Sequence, residues 1–482
     1  MALFFLLALA FFSFFFRLGS APMQLWDESR LALNAAQMLK HQQWLITMYQ
    51  DQPDLWNTKP PLMIWLQALS IQALGYTELA VRLPSALAAL ATTLLLFWYG
   101  HRYLRGPLLG WLAAVVLVSA PGYVGWHVAR TGDYDALLVL WTTAGVLAFG
   151  RYLATESRRA LWLAAAAFTL AVFTKGVAGV LGLPALVLAA AFTGHLPTLL
   201  RRRDLYLCGL AVVGMVGSYY AIREAAGPGY LAAVWANELG GRAGGSLEGH
   251  EESVGWYTSL LAEFKFSFWL AFAVVGFGLG IRQARTTPEY QLAVLCGVWV
   301  GWYLLLLSSM QTKLTWYDAP IYPALALLAA LGIGALAQAA HTHFQLPVLP
   351  PVLWVLGSLL LLWGPYANLM SDLTTQHRHR FVEAELQFGR HLQRQHENLP
   401  ALTAYTLMMP PSYNGSTEWY GFIAEQTRQH QLTYRQANAL NQIATGETVV
   451  VCGNKQRQQL LQQYAVEVLW QQDSCATLRV IR

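Results

Sequence analysis

Charge is what this chain has least of. Asp, Glu, Lys and Arg make up 12% of its 482 residues, about half the ~25% share of an ordinary soluble domain. The balance of 31 Lys+Arg against 26 Asp+Glu leaves only +5. No long basic run accompanies it, so a nucleic-acid partner is excluded. Cysteine is also scarce, at four residues. There is no repeat of 20–50 residues and no low-complexity segment. No Lys or Arg precedes the apolar run at residues 1–18. That run therefore lacks the charged start of a secretory signal, although Gly19-Ser20-Ala21 offers small residues for cleavage. It is expected to be retained. Together these absences exclude an ordinary cytosolic enzyme.

Apolar stretches fill the space that charge leaves. A membrane span takes about 20 such residues, and about eleven segments qualify. They are 1–18, 79–99, 107–125, 134–153, 160–175, 177–193, 205–222, 264–281, 290–309, 319–338 and 348–369. Cytoplasmic loops retain Lys and Arg. With the N-terminus inside, the inner loops carry Arg102 and Arg105, then Arg151, Arg158 and Arg159, then Arg201–Arg203, then Arg282 and Arg285. Acids gather in the opposite loops. Eleven spans place the C-terminus outside.

Beyond residue 370 the composition turns polar and Gln-rich. Glu447–Cys452 and Thr477–Ile481 read as strands, Lys455–Tyr464 as a helix, and a further helix falls near 376–397. The expected fold class is a polytopic α-helical membrane protein with about eleven or more transmembrane helices. Amphipathic helices occupy its first outer loop, and a C-terminal α/β extracytoplasmic domain covers 371–482. The membrane part, 1–370, includes the outer loop 19–78. Cys208 and Cys296 fall within spans as packing residues. Cys452 and Cys475 fall in the outer domain, where an oxidising compartment permits a disulfide and the sequence does not decide whether it forms.

Chemistry-bearing residues collect in the outer loops. The first begins Leu25-Trp26-Asp27-Glu28-Ser29-Arg30, continues through an amphipathic LALNAAQMLK expected to lie along the membrane surface, and reaches Trp56-Asn57-Thr58-Lys59-Pro60-Pro61-Leu62. Asp27 and Glu28 also suit a plain helix start, and Lys59-Pro-Pro a rigid corner. The second loop ends Arg130-Thr-Gly-Asp133-Tyr-Asp135, where the structural alternative is a cap by Asp133 and a salt bridge from Asp135 to Arg130. Lys175 tops a span. Glu238, Arg242, Glu248 and His250 share a large loop, and Lys313 and Tyr317 sit between two later spans. A lysine at a span end is usually a snorkelling anchor, and a single loop histidine is usually just solvated. Convergence on one membrane face lifts the set, because acids and cations there can hold a lipid phosphate and activate a nucleophile beside it.

Leu-Trp-Asp-Glu-Ser-Arg, Lys59-Pro-Pro-Leu, Arg130-x-x-x-x-Asp135-Ala-Leu-Leu, Phe-Thr-Lys175-Gly and Lys313…Tyr317…Tyr322-Pro323 occur in this order. Together they resemble the C-type glycosyltransferases of the protein O-mannosyltransferase-like group, and among these the aminoarabinose transferase that modifies lipid A. The resemblance covers residues 1 to about 370 well and the outer domain only loosely. It implies an inverting transfer from a polyprenyl-phosphate sugar donor outside the cytoplasmic membrane, by a chain that acts as a monomer among membrane lipids. The acceptor stays open between lipid, glycan and protein. Asp27 matches the catalytic aspartate and Asp135 a second functional carboxylate. Lys59 and Arg242, then Lys175 and Lys313, match donor-phosphate ligands, and Tyr317 the donor pocket. His250 matches a divalent-metal ligand whose partner glutamate, before Lys-Pro-Pro, is here Thr58. Either Asp27, Asp54 or Glu248 supplies the missing charge, or no metal is tightly held; the second is the reading preferred here. A transporter or flippase is the competing function, but transporters place ionisable groups near the bilayer midplane, and these span interiors are almost uncharged.

Overall fold

The computed structural model describes residues 2–104, 107–240, 251–345, 351–380, 384–409, 413–436, 438–439 and 442–482. Helix dominates. After an apolar helical segment at residues 2–15 come α1 (Asp27–His41), the two-residue strands β1 (Met48–Tyr49) and β2 (Gln52–Pro53), α2 (Leu62–Leu74), α3 (Glu78–Tyr103) and α4 (Pro107–Val118). Then follow α5 (Asp135–Thr155), α6 (Arg158–Lys175), α7 (Arg203–Ala226), α8 (Ser267–Gly280), α9 (Pro288–Ser309), α10 (Tyr322–His343) and α11 (Pro351–Arg380).

Among the described residues, seven helices are long and apolar enough to cross a membrane: Glu78–Tyr103, Asp135–Thr155, Arg158–Gly179, Arg203–Ala226, Pro288–Ser309, Ala319–His343 and Leu353–Thr374. An eighth is reached if Trp256–Lys265 and α8, bent by 114° at their junction, count as one. Each of the eleven stretches expected from the sequence contains helix among the described residues, but the remaining three hold apolar helices of only 10–17 residues: Ala2–Phe15, Leu108–Val118 and Leu183–Phe192. Hydropathy detects apolar runs and is blind to where the backbone breaks. The tight turn expected at Lys175-Gly176 falls later: Gly176, at φ +56°, only breaks the α-helix, a 3-10 helix continues through Gly179, and the next helix starts at Leu183.

Small residues let these helices approach closely, as membrane packing requires. A Cβ on Gly276 of α8 would lie 1.9 Å from the Leu328 carbonyl of α10, and one on Gly332 of α10 would lie 2.1 Å from the Phe272 carbonyl. α7 and α11 are different. Only 11% and 17% of their apolar windows are buried, so these two helices present their sides outward.

The C-terminal part is a five-stranded sheet in the order β4-β3-β5-β7-β6. It comprises α12 (Ala384–Asn398), β3 (Ala404–Met409), α13 (Gly415–Arg428), β4 (Gln431–Gln436), β5 (Thr448–Cys452), α14 (Asn454–Gln463), β6 (Val466–Gln472) and β7 (Cys475–Val480). β3 runs parallel to β4 and β5, while β7 pairs antiparallel with β5 and β6. The expected strands and helix are found as β5, β7 and α14. Cys452 and Cys475 face each other across β5 and β7 and are bonded; Cys208 and Cys296 are free and buried.

One expectation changes. The amphipathic α1 does not lie open on a surface: Leu31 through Met38 are all buried. It packs between α2 and α13, so the C-terminal part covers the side left for solvent or lipid headgroups. Its polar residues are absorbed by local bonds. Asn34 donates to Asp54 at 2.9 Å and to the Met48 carbonyl at 2.8 Å, and Gln37 accepts from the Asp51 N–H.

Candidate active site

Asp27 opens α1, and the next residue explains why it is held so firmly. Glu28 is 1% exposed and pairs with Arg82 of α3 through two bonds, of 2.6 and 2.9 Å. It also accepts the N–H of Gln24 and, across from the second loop, that of Gly132. Arg82 spends its other donors on the carbonyls of Leu18, Ala21 and Pro22. Burial alone would push Glu28 up, but the Arg82 charge and these bonds bring it below the usual carboxylate range. The network ties the first loop, the second loop and α3 into one block.

The block brings Asp27 beside Asp133 and His127 of the second loop. One donor atom from each lies within 4.8 Å of the others. Asp133 accepts from Thr131 and sits 3.4 Å from His127 Nδ1, while its Oδ1 has no hydrogen-bond partner among the described residues. Burial, then the charges of Asp27 and Glu28, push its carboxyl well above the ordinary range. His127 stacks on Trp316, with centroids 3.4 Å apart and planes 6° apart. Its backbone is left-handed, at φ +67°, a strain of the sort that collects at functional sites.

A second group faces this one. Lys175 Nζ lies 2.6 Å from Asp135 and 5.7 Å from the Tyr317 ring centroid. Lys59 lies 3.4 Å from Glu238, which also accepts from Thr58. The salt bridge from Asp135 to Arg130 considered above does not form: Arg130 donates to the carbonyls of Ser13 and Phe16 instead.

Two cavities meet here. One, of about 250 Å³, runs among Leu138, Leu181, Leu306, Leu307 and Met310. The other, of about 650 Å³, holds Asp27, Glu28, His127 and Asp133. Lys59, Lys175, Glu238 and Tyr317 line both.

Of the sequence candidates, Asp27, Lys59, Lys175 and Tyr317 line the polar cavity, and Asp135 lines the apolar one. Lys313 lines neither; buried, it donates to the Met310 carbonyl while Thr312 and Leu314 take the cavity wall. Arg242, Glu248 and His250 lie outside the described residues. The carboxylate beside Thr58 is Glu238, whereas Asp54 is occupied by Arg30 and Asn34. Sequence reasoning missed His127 as a site residue. The available signal was its place six residues before Asp133 in one short loop.

Carboxylates, two acid-paired lysines and an adjoining apolar cavity thus come together within a bundle of apolar helices. Residues 58–220 match the family model described as dolichyl-phosphate-mannose-protein mannosyltransferase. An undecaprenyl phosphate-alpha-4-amino-4-deoxy-L-arabinose arabinosyl transferase of Pectobacterium carotovorum is 27% identical over 333 residues, which are 66% of this chain and 56% of that protein. The match thus spans little more than half the relative's length. ArnT from Cupriavidus metallidurans, solved bound to undecaprenyl phosphate, superposes with a TM-score of 0.73 over 99% of this chain and 97% of that one, at 17% identity. An oligosaccharyltransferase from Archaeoglobus fulgidus superposes with a TM-score of 0.52 over 89% and 64%, at 12% identity. The chain is a multi-pass membrane protein that shares the fold of the C. metallidurans protein and is similar in sequence to aminoarabinose transferases.

Proposed function

We propose that the protein is an inverting glycosyltransferase that moves a sugar from a polyprenyl-phosphate donor to an acceptor hydroxyl outside the cytoplasmic membrane. The observation that carries this reading is the junction of the two cavities at Lys59 and Lys175. The apolar cavity takes the start of the polyprenyl chain, the two ammonium groups take the phosphate, and the sugar projects into the polar cavity beside Asp27. The aminoarabinose transferase likeness and the undecaprenyl phosphate bound to the C. metallidurans protein support it. No relative or solved structure reported above is a transporter.

In the transfer, the acceptor oxygen attacks the anomeric carbon from the face opposite the phosphate. The bond from that carbon to the phosphate oxygen breaks, and its electron pair leaves with the phosphate. The hydroxyl proton passes to the Asp27 carboxylate, a contribution of about 10²–10⁴-fold for a positioned base. Lys59 and Lys175 stabilise the charge gathering on the leaving phosphate. Asp135 keeps Lys175 aimed, and Glu238 does the same for Lys59.

Asp27, His127 and Asp133 would hold a divalent cation. One nitrogen and two carboxylate oxygens suit such an ion, and the crowded, buried Asp133 gains most from a positive neighbour. When bound, the ion would supply positive charge beside the reacting hydroxyl.

We further place the active site and the sheet domain on the exterior face, with the domain beginning near residue 370. The Arg-rich loops opposite support that orientation. The test is mass spectrometry of lipids copurifying with wild type and Asp27→Asn. A polyprenyl-phosphate sugar retained by the variant is expected; bulk phospholipid alone in both would overturn the reading.

A further inference from the structure

The polar cavity, about 650 Å³ against about 250 Å³ for the apolar one, has an unusual wall. Trp26, Trp56 and Trp126 line it with 54%, 42% and 48% of their surfaces exposed. Large rings normally bury most of their area. Three left half-open around one carboxylate-bearing cavity make a feature apart from the scattered aromatics of the membrane surface. The apolar cavity has none of them in its wall, so they belong to the acceptor end and not to the lipid chain.

Trp26 is adjacent to Asp27 in sequence. Its indole stacks on Tyr413 of the C-terminal domain, with centroids 5.3 Å apart and planes 29° apart. Tyr413 is fixed in turn: α13 follows directly, and a Cβ on its Gly415 would lie 2.4 Å from Ser29 Oγ. The domain thus backs one indole with a second ring and sets that platform next to the proposed base. Trp126, on the wall of the same cavity, precedes His127 of the triad.

We infer that the acceptor presented to Asp27 is a carbohydrate ring, stacked on Trp26 and Trp126 and offering a ring hydroxyl. A pyranose has flat C–H faces that suit indole platforms and equatorial hydroxyls that suit the carboxylates of the same cavity. A serine or threonine side chain is too small to use the platforms, and a lipid tail has no use for the carboxylates. This rests on the transferase reading and adds the class of acceptor to it. The acceptor C–O–H supplies the attacking oxygen, its proton goes to Asp27, and the product is a new glycosidic bond plus the free polyprenyl phosphate.

The test uses full-length protein in nanodiscs and saturation-transfer NMR. The probes are a panel of neutral and amino-sugar oligosaccharides and a Ser/Thr-rich peptide of similar mass. Binding by at least one oligosaccharide and none by the peptide is expected. Trp26→Ala and Trp126→Ala should each weaken it by about tenfold, the scale of one lost ring contact. Trp26→Phe should retain most of it, and Trp98→Ala, at an exposed tryptophan on α3, should leave it unchanged. Thermal melts of each variant separate lost binding from lost folding. No oligosaccharide binding, binding indifferent to both tryptophans, or preference for the peptide would overturn the inference. If the donor lipid still copurifies in that case, the transferase reading survives alone; if it does not, both fall.

Discussion

At the scale of the residue, the protein is organised by where its few charges are placed. Asp27→Asn should lower single-turnover transfer from bound donor by about 10²–10⁴-fold while leaving donor binding intact; transfer within twofold of wild type would rule it out as the base. Its neighbour does a different job. Glu28 is consumed entirely by Arg82 and two backbone N–H groups, so Arg82→Met leaves a buried carboxylate without its counter-ion. That should cost about 3–5 kcal/mol, seen as a large drop in the melting midpoint in detergent. A shift no larger than that of a surface control would show the pair to be dispensable. The sequence displayed Asp27 and Glu28 as equals, both suited to a helix start. Only contact with Arg82, 54 positions on, separates the scaffold acid from the one proposed as the base. His127 was illegible for a similar reason: a lone histidine in a loop acquires meaning from a carboxylate on another loop, and Asp27 lies 100 positions earlier.

At the scale of the element, close helix crossing and sheet packing carry the predictions. Gly276→Leu must push α8 and α10 apart, and overpacking of this kind costs about 1–3 kcal/mol or more. Gly278→Leu, two residues on with nothing within 4 Å of its Cβ position, should be tolerated. Comparing folded yield by gel filtration distinguishes them, and equal loss in both would refute the close-crossing argument. In the C-terminal sheet, His391 of α12 bonds Thr477 at 2.9 Å and stacks on Trp470. Burial pushes it down to about 3 from the ordinary 6.5. Its folded value lies below its unfolded one, so the unfolded state takes up the proton first as pH falls. Stability present at and above pH 6.5 is therefore lost progressively towards pH 3, by at most about 1.4 kcal/mol per unit. Hydrogen exchange in β5 and β7 should show this slope, and His391→Gln should flatten it. Element type was largely legible here, since short β-branched runs mark β5 and β7 and long apolar runs mark the spans. Element length was not, because breaks such as the 114° bend before α8 are set by neighbours.

At the scale of the whole molecule, the C-terminal domain grips the loop that bears the proposed base. Tyr420 accepts the Met23 N–H at 3.1 Å and donates to Glu78 at 2.5 Å, Tyr49 donates to Glu418 at 2.5 Å, and Arg30 lies 3.3 Å from the Tyr49 ring centroid while held by Asp54. Truncation near residue 370 should consequently abolish transfer even if the membrane part remains folded. Tyr420→Phe with Glu418→Gln should lower kcat more than it raises the donor KM. A truncated chain with full activity would show that the grip is idle. From sequence alone, composition determined the solvent: a chain so poor in charge and so rich in apolar runs has to bury its backbone bonds in helices across a bilayer. Local order along the chain likewise determined which loops carry acids and which carry arginines, because those patterns are contiguous. Tertiary structure alone decided which of those acids face one another, that Glu238 stands beside Thr58 and Lys59, that α1 is covered, and that an apolar and a polar cavity meet at two lysines. Each of these depends on side chains from distant segments meeting in space, and no local periodicity encodes that.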